Sequence, residues 1–130
     1  IICCSGKFFG EQKIIHSDYE SLGYQMTIFH PGVIVRKDIY EKYGMYDSQY
    51  KISADYDFFL RLKIDAKFNN SILKIEKKIL TKMRRGGLSS NKHMTAKENF
   101  HIQKRYLNSF IGTLLYVGRL IKYKLQNDNK

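Results

Sequence analysis

The segment SADYDFFLRLKIDA, residues 53–66, constrains this chain more than any other. Tyr56, Phe59, Leu60 and Ile64 recur at helical spacing, and Phe58 and Leu62 widen the apolar stripe. It is predicted as the central helix. Ser53 and Asp55 are both candidate N-caps, and acids in a first turn are favoured by the helix dipole. Asp57 stands four residues before Arg61, acid first, which is the favourable order for an ion pair on one helix face. Asp55 has Phe58 and Phe59 at the matching offsets and no cation there. Asp57 with Arg61 therefore reads as a structural pair, and Asp55 as the carboxylate left over. A carboxylate held by a rigid helix and open to one reactant meets the needs of a general base. On spacing alone, a structural role is the plainer reading for both acids.

The rest of the chain predicts an α/β fold. IICCS reads as a buried strand, and residues 11–24 as a loop or lid. MTIFHPGVIVRK has strand character on both sides of Pro31, so the strand is expected to bend or restart at Val33. KDIYEKYG is a short helix with Gly44 at its C-cap, and MYDSQYKI a connector. KFNNSILKIEKKILTKM predicts two short strands or one bent strand, with Asn69-Asn70 as the turn, and RRGGLSS a loop. From Thr95 the pattern is helical to about Leu125, with a break near Asn108.

The chain has 130 residues, enough for one small domain. It begins with Ile1, and IICCSGKFFG lacks a signal-peptide layout, so it reads as a piece of something longer. Its two cysteines, Cys3 and Cys4, are adjacent, a spacing that meets disulfide geometry poorly. They fit a reducing, cytoplasmic setting and are expected as small buried strand residues. The net charge of +11 implies an anionic partner or surface. No stretch is long and apolar enough to predict a membrane-spanning helix.

IFHPGVIVRKDIYEKYGMYDSQYKISADYDFFLRL, followed by MRRGGLSS, resembles the C-terminal half of family 2 glycosyltransferases with the GT-A fold. The matching elements occur in family order: His30-Pro31, Lys42-Tyr43-Gly44, Tyr46-Asp47, Ala54-Asp55 with Tyr56-Asp57, Arg61, and Gly86-Gly87-Leu88-Ser89. They cover roughly residues 28–90. The resemblance implies the C-terminal portion of a GT-A, nucleotide-diphospho-sugar transferase-like domain: a mixed sheet with flanking helices and a helical C-terminus. Residues 1–106 would form its acceptor-side part, and 107–130 a basic amphipathic helix able to project from the body.

By the same resemblance, Asp55 matches the base that deprotonates an acceptor hydroxyl, which attacks the anomeric carbon of a nucleotide-activated sugar with inversion. His30 and Tyr56 would line the site, and Arg84, Arg85, Gly86, Gly87 and Ser89 would approach the diphosphate. The implied partners are a nucleotide-sugar donor and a sugar or lipid-linked acceptor, in surface polysaccharide or glycoconjugate synthesis. The implied cofactor of the full-length enzyme is a divalent metal, Mg or Mn. This chain has Ala54 where many members have Glu, and Arg85 where many have a metal-binding His, so none of its residues is assigned as a metal ligand. The half bearing the Asp-X-Asp motif is absent, and the fragment alone is expected to be inactive.

Without the resemblance, His30 reads as a satisfied core histidine and RRGGLSS as an ordinary turn or an anion cradle. His16, His93 and His101 have no constellation around them and are expected at the surface. Phe110, Leu114, Val117, Ile121 and Leu125 mark a stripe, with Arg119, Lys122 and Lys124 towards the end. The stripe suits a core-packing or partner-packing helix, the slightly favoured reading, or a peripheral helix on the inner face of an anionic membrane. The competing class of function is a non-catalytic basic module for nucleic acid or anionic membrane. Against nucleic acid, no known motif appears and the basic residues form no continuous stripe.

Overall fold

The computed structural model describes residues 1–65 and 74–128. The predicted Asn69-Asn70 turn lies outside them. The strand β1, Ile2–Phe8, is the centre of a mixed four-stranded sheet. Along one edge it pairs in parallel with β4, Lys74–Met83, from Ile2 opposite Lys74 to Phe8 opposite Met83. The register slips around Ser5, so β4 is one irregular strand over its described length. Two short antiparallel strands share the other edge. β2, Ile14–Ile15, faces Gly6 and Lys7, and β3, Val33–Ile34, faces Ile2 and Cys3. Residues 11–24, predicted as a loop, thus contain a strand and a 3₁₀ turn, Glu20–Gly23. HPG is itself a 3₁₀ turn, because proline lacks an amide hydrogen and cannot continue a ladder.

The helix α1 spans Lys37–Tyr43. Gly44 ends it with φ of 84°, donating its N–H to the Tyr40 carbonyl at 2.8 Å. The helix α2, Ala54–Asp65, buries Tyr56, Asp57, Phe58, Phe59, Leu60 and Leu62. Ile64, predicted on the same stripe, is instead exposed. Ile1 and Cys3, Leu22 and Ile28 close the core against α2, with Ile102 from the next helix. Cys3 and Cys4 are buried and unbridged, and burial pushes the Cys3 thiol up to about 11.

The predicted C-terminal helix is a hairpin. α3, Lys92–Tyr106, is capped by Asn91, whose side chain accepts the Met94 N–H at 3.1 Å. α4, Ser109–Asp128, begins just after the predicted break and runs back along α3. Phe100 meets Tyr116 with ring centroids 4.9 Å apart, Gln103 meets Arg119, and Lys92 meets Gln126. Hence α4 does not project. Gly112 lets the backbones approach, since a Cβ there would lie 3.2 Å from the Lys104 nitrogen.

Gly6 is the tightest point of the sheet. A Cβ there would sit 1.9 Å from the buried Phe29 ring. Gly6→Ala must displace that ring and is expected to lower unfolding free energy by about 1–3 kcal/mol. Urea denaturation measures this, and a variant as stable as the parent would show that the ring can relocate freely.

Candidate active site

The HPG turn is held on several sides. Phe29 lies over Gly6 and donates its N–H to the Ser17 hydroxyl at 2.9 Å. Thr81 of β4 donates its hydroxyl to the Pro31 carbonyl at 2.9 Å. Gly32 backs directly onto the Cys4 carbonyl, leaving no room for a side chain. His30 is therefore fixed at its backbone while its side chain stays about half exposed.

Asp55 approaches from α2. The chain leading into that helix is clamped by Glu98 of α3, whose carboxylate accepts the N–H groups of Lys51, Ile52 and Ser53 at 3.0, 2.9 and 2.8 Å. An anion suits these amides ahead of a helix start, where the backbone presents positive partial charge. One Asp55 oxygen accepts the Tyr56 N–H at 2.8 Å, and the other lies 2.8 Å from His30 Nδ1. As the spacing predicts, the ion-pair partner of Asp55 is not on its own helix. Its partner comes from a turn distant in sequence.

His30 and Asp55 line a cavity of about 510 Å³ with Tyr46, Lys51, Met83, Leu88 and Ser89, and with Ile52 and Gly87. Tyr46 packs in tilted contact with Tyr40 and Phe58. Burial, then the Tyr40 hydroxyl and the nearby Asp55 charge, push the Tyr46 phenol well above its ordinary range, which keeps it a proton-bearing donor.

Beside this cavity, the chain leaving β4 turns at Gly86, φ 94°, into a 3₁₀ turn at Leu88–Ser90. Arg84, Arg85, Gly86, Gly87, Ser89 and Ser90 border a smaller hollow of about 190 Å³. Gly87 and Ser89 line both spaces. Arg85 is engaged elsewhere: it holds Glu11 with two prongs at 2.5 and 2.9 Å and stacks over Phe8. That pairing holds the Glu11 carboxyl below the usual carboxylate range.

One expectation changes on this geometry. Tyr56 does not line the cavity. One residue past Asp55, it has turned about 100° around the helix into the core, where its hydroxyl donates to the Gly23 carbonyl and accepts from Gln103. The expected Asp57–Arg61 ion pair forms, at 3.8 Å, and Arg61 also donates to the Met45 carbonyl at 2.7 Å, tying α2 to the connector. Among the described residues neither Asp57 oxygen has a hydrogen-bond partner. Burial accordingly raises the Asp57 carboxyl, with the Arg61 charge opposing.

Tyr46, Lys51, Met83, Leu88 and Glu98 were not singled out from sequence. Tyr46 had a weak signal, in the motif Tyr46-Asp47. Glu98 had none, because it stands 45 residues beyond Ser53. His16 is exposed, as expected, but is not without a neighbour: it bonds the buried Ser5 hydroxyl at 2.7 Å. Among the described residues no three His, Cys, Asp or Glu side chains converge as a ligand set. The cavity's carboxylate and imidazole hold each other, and the other charged residue of its lining is the cation Lys51, so these residues do not by themselves fit a resident Mg or Mn. Comparison with family models, curated proteins and solved structures finds no match.

Two measurements probe this frame. Glu98→Gln places an amide group against backbone donors and is expected to lower stability by about 1–2 kcal/mol in urea titrations. Asp57 keeps its proton to higher pH in the folded chain than in the unfolded one. Its contribution is therefore full in acid and is lost as pH rises from about 4 towards the folded value. The stability of the parent relative to Asp57→Asn should fall across that window. Parallel pH curves for the two proteins would contradict the buried, raised carboxyl.

Proposed function

We propose that the cavity around Asp55 is the acceptor side of an inverting GT-A glycosyltransferase. The donor would be a nucleotide sugar and the acceptor a hydroxyl, in surface polysaccharide or glycoconjugate synthesis. One observation carries this reading: His30, Asp55, Gly87 and Ser89, from three separate segments that resemble the family's motifs in order, wall a single cavity. Asp55 supplies what the chemistry needs. A sugar hydroxyl is a poor nucleophile, and a positioned carboxylate takes its proton as the new bond forms.

In this mechanism the acceptor oxygen bonds the anomeric carbon from one side while the bond to the diphosphate breaks on the other. The acceptor proton passes to an Asp55 oxygen. His30 holds the carboxylate in orientation through Nδ1. Charge developing on the departing diphosphate is met by Lys51 and Arg84 and by the backbone around Gly86-Gly87. Arg85, engaged by Glu11, is a secondary contributor.

The test is nucleoside diphosphate release from a panel of nucleotide sugars by the intact protein. Asp55→Asn should lower turnover by about 10²–10⁴-fold with an unchanged melting transition. Near-normal turnover in the folded variant would remove Asp55 from the role of base and this reading with it.

A further inference from the structure

We infer that α4 is an interfacial helix whose outer face lies on an anionic membrane surface. The inner face of α4 is fully employed. Gly112, Tyr116, Arg119 and Tyr123 meet α3, and Arg119 bonds the Gln103 side chain at 2.9 Å and the Tyr24 carbonyl. The apolar stripe is therefore not what holds α4 to the body. Phe110, Leu114, Val117 and Ile121 lie on the opposite side, 45–75% exposed, and Leu125 continues the row. A helix packed on one side ordinarily turns polar residues outward. Here it turns out a continuous apolar row about 22 Å long, the pattern of an interaction surface.

Charge identifies the occupant. Lys122 and Lys124 are exposed on either side of the row, next to Ile121 and Leu125. Such stems extend along an apolar surface and carry their ammonium groups to a headgroup layer. The only acid in α4 is its final residue, Asp128, and the chain as a whole carries +11. A second copy docking on the same face would bring like-charged lysines together, whereas anionic headgroups complement them. Among the described residues no helix is long and apolar enough to cross a membrane. The fit is to a helix lying in the interface, apolar side down and basic flanks at the headgroups. Arg119, expected from sequence to belong to the basic end, is removed from that role by its bonds to the body.

The inference is independent of the chemistry at Asp55. It is tested by co-sedimenting the full chain with vesicles of phosphatidylcholine, alone or mixed with phosphatidylglycerol. Binding to the mixed vesicles, weakening at high salt, is expected. Leu114→Asp with Ile121→Asp, both at exposed positions, should abolish it while leaving the circular dichroism unchanged. Lys122→Gln with Lys124→Gln should weaken it about 25-fold on the mixed vesicles only. Equal binding to both vesicle types, or undiminished binding by the Leu114/Ile121 variant, would overturn the inference. So would a concentration-dependent dimer in lipid-free solution that the same variant dissociates, since the face would then belong to a second copy.

Discussion

Three consecutive backbone amides, those of Lys51, Ile52 and Ser53, end on the single carboxylate of Glu98. Much of the molecule depends on that convergence. The chain must enter α2 from an irregular connector, where amides have no strand or helix to bond. The entry is partly buried, so leaving them unmet would be expensive. Glu98 satisfies all three and fixes α3 against the start of α2. Asp55 follows two residues later, so its position is set by a helix much further along the chain. The same contact borders Lys51 and Ile52, which wall the cavity. Core packing of α2, orientation of the candidate base and attachment of the C-terminal hairpin are thus coupled through one side chain.

The cations divide into two populations, and the division bears on what so basic a chain can do. Arg61, Arg119 and the exposed Arg85 fasten the chain to itself, bound to the Met45 carbonyl, to Gln103 with the Tyr24 carbonyl, and to Glu11 respectively. Arginine suits this work because its planar fork makes several directed bonds at once. Lys122 and Lys124 remain exposed, flanking an apolar row. The high net charge is therefore less available to a partner than composition suggests. What is available is spread widely: Lys77, Lys78 and Lys82 on β4, Lys97 and Lys104 on α3, and Lys122 and Lys124 on α4 are all exposed.

Local elements were largely legible in the sequence. Residues 54–65 form the expected helix, Gly44 ends α1, and the C-terminal region breaks where Asn108 stands. These follow from spacing and capping, which are properties of neighbouring residues. HPG was read as a bend in a strand and is a 3₁₀ turn, with only two residues of ladder after it. Proline marked the interruption correctly, but the length of pairing was set by how far β1 could accommodate a partner. At the site, Asp55 and His30 were identified separately, and nothing in their spacing announced that they touch. Tyr56 was placed with them on motif grounds, yet it points into the core.

By itself the sequence determined where helices lie to within about three residues, that Asp57 is drawn to Arg61, and that a long apolar stripe marks the last helix. Only the tertiary structure decided which way each of these faces. Helical periodicity says that residues share a side, but not what lies opposite that side. For α4 the answer excluded one of the open readings, core packing of the stripe: the polar and aromatic side packs on α3, and the apolar stripe faces outward. For α2 the burial reaches almost all around the first turns, so two acids two residues apart end in different environments. Asp57 is sealed in the core and Asp55 opens on a cavity with His30 beside it. The reason is geometric. Each step along a helix turns the side chain by about 100°, and only the surrounding elements determine what it meets there.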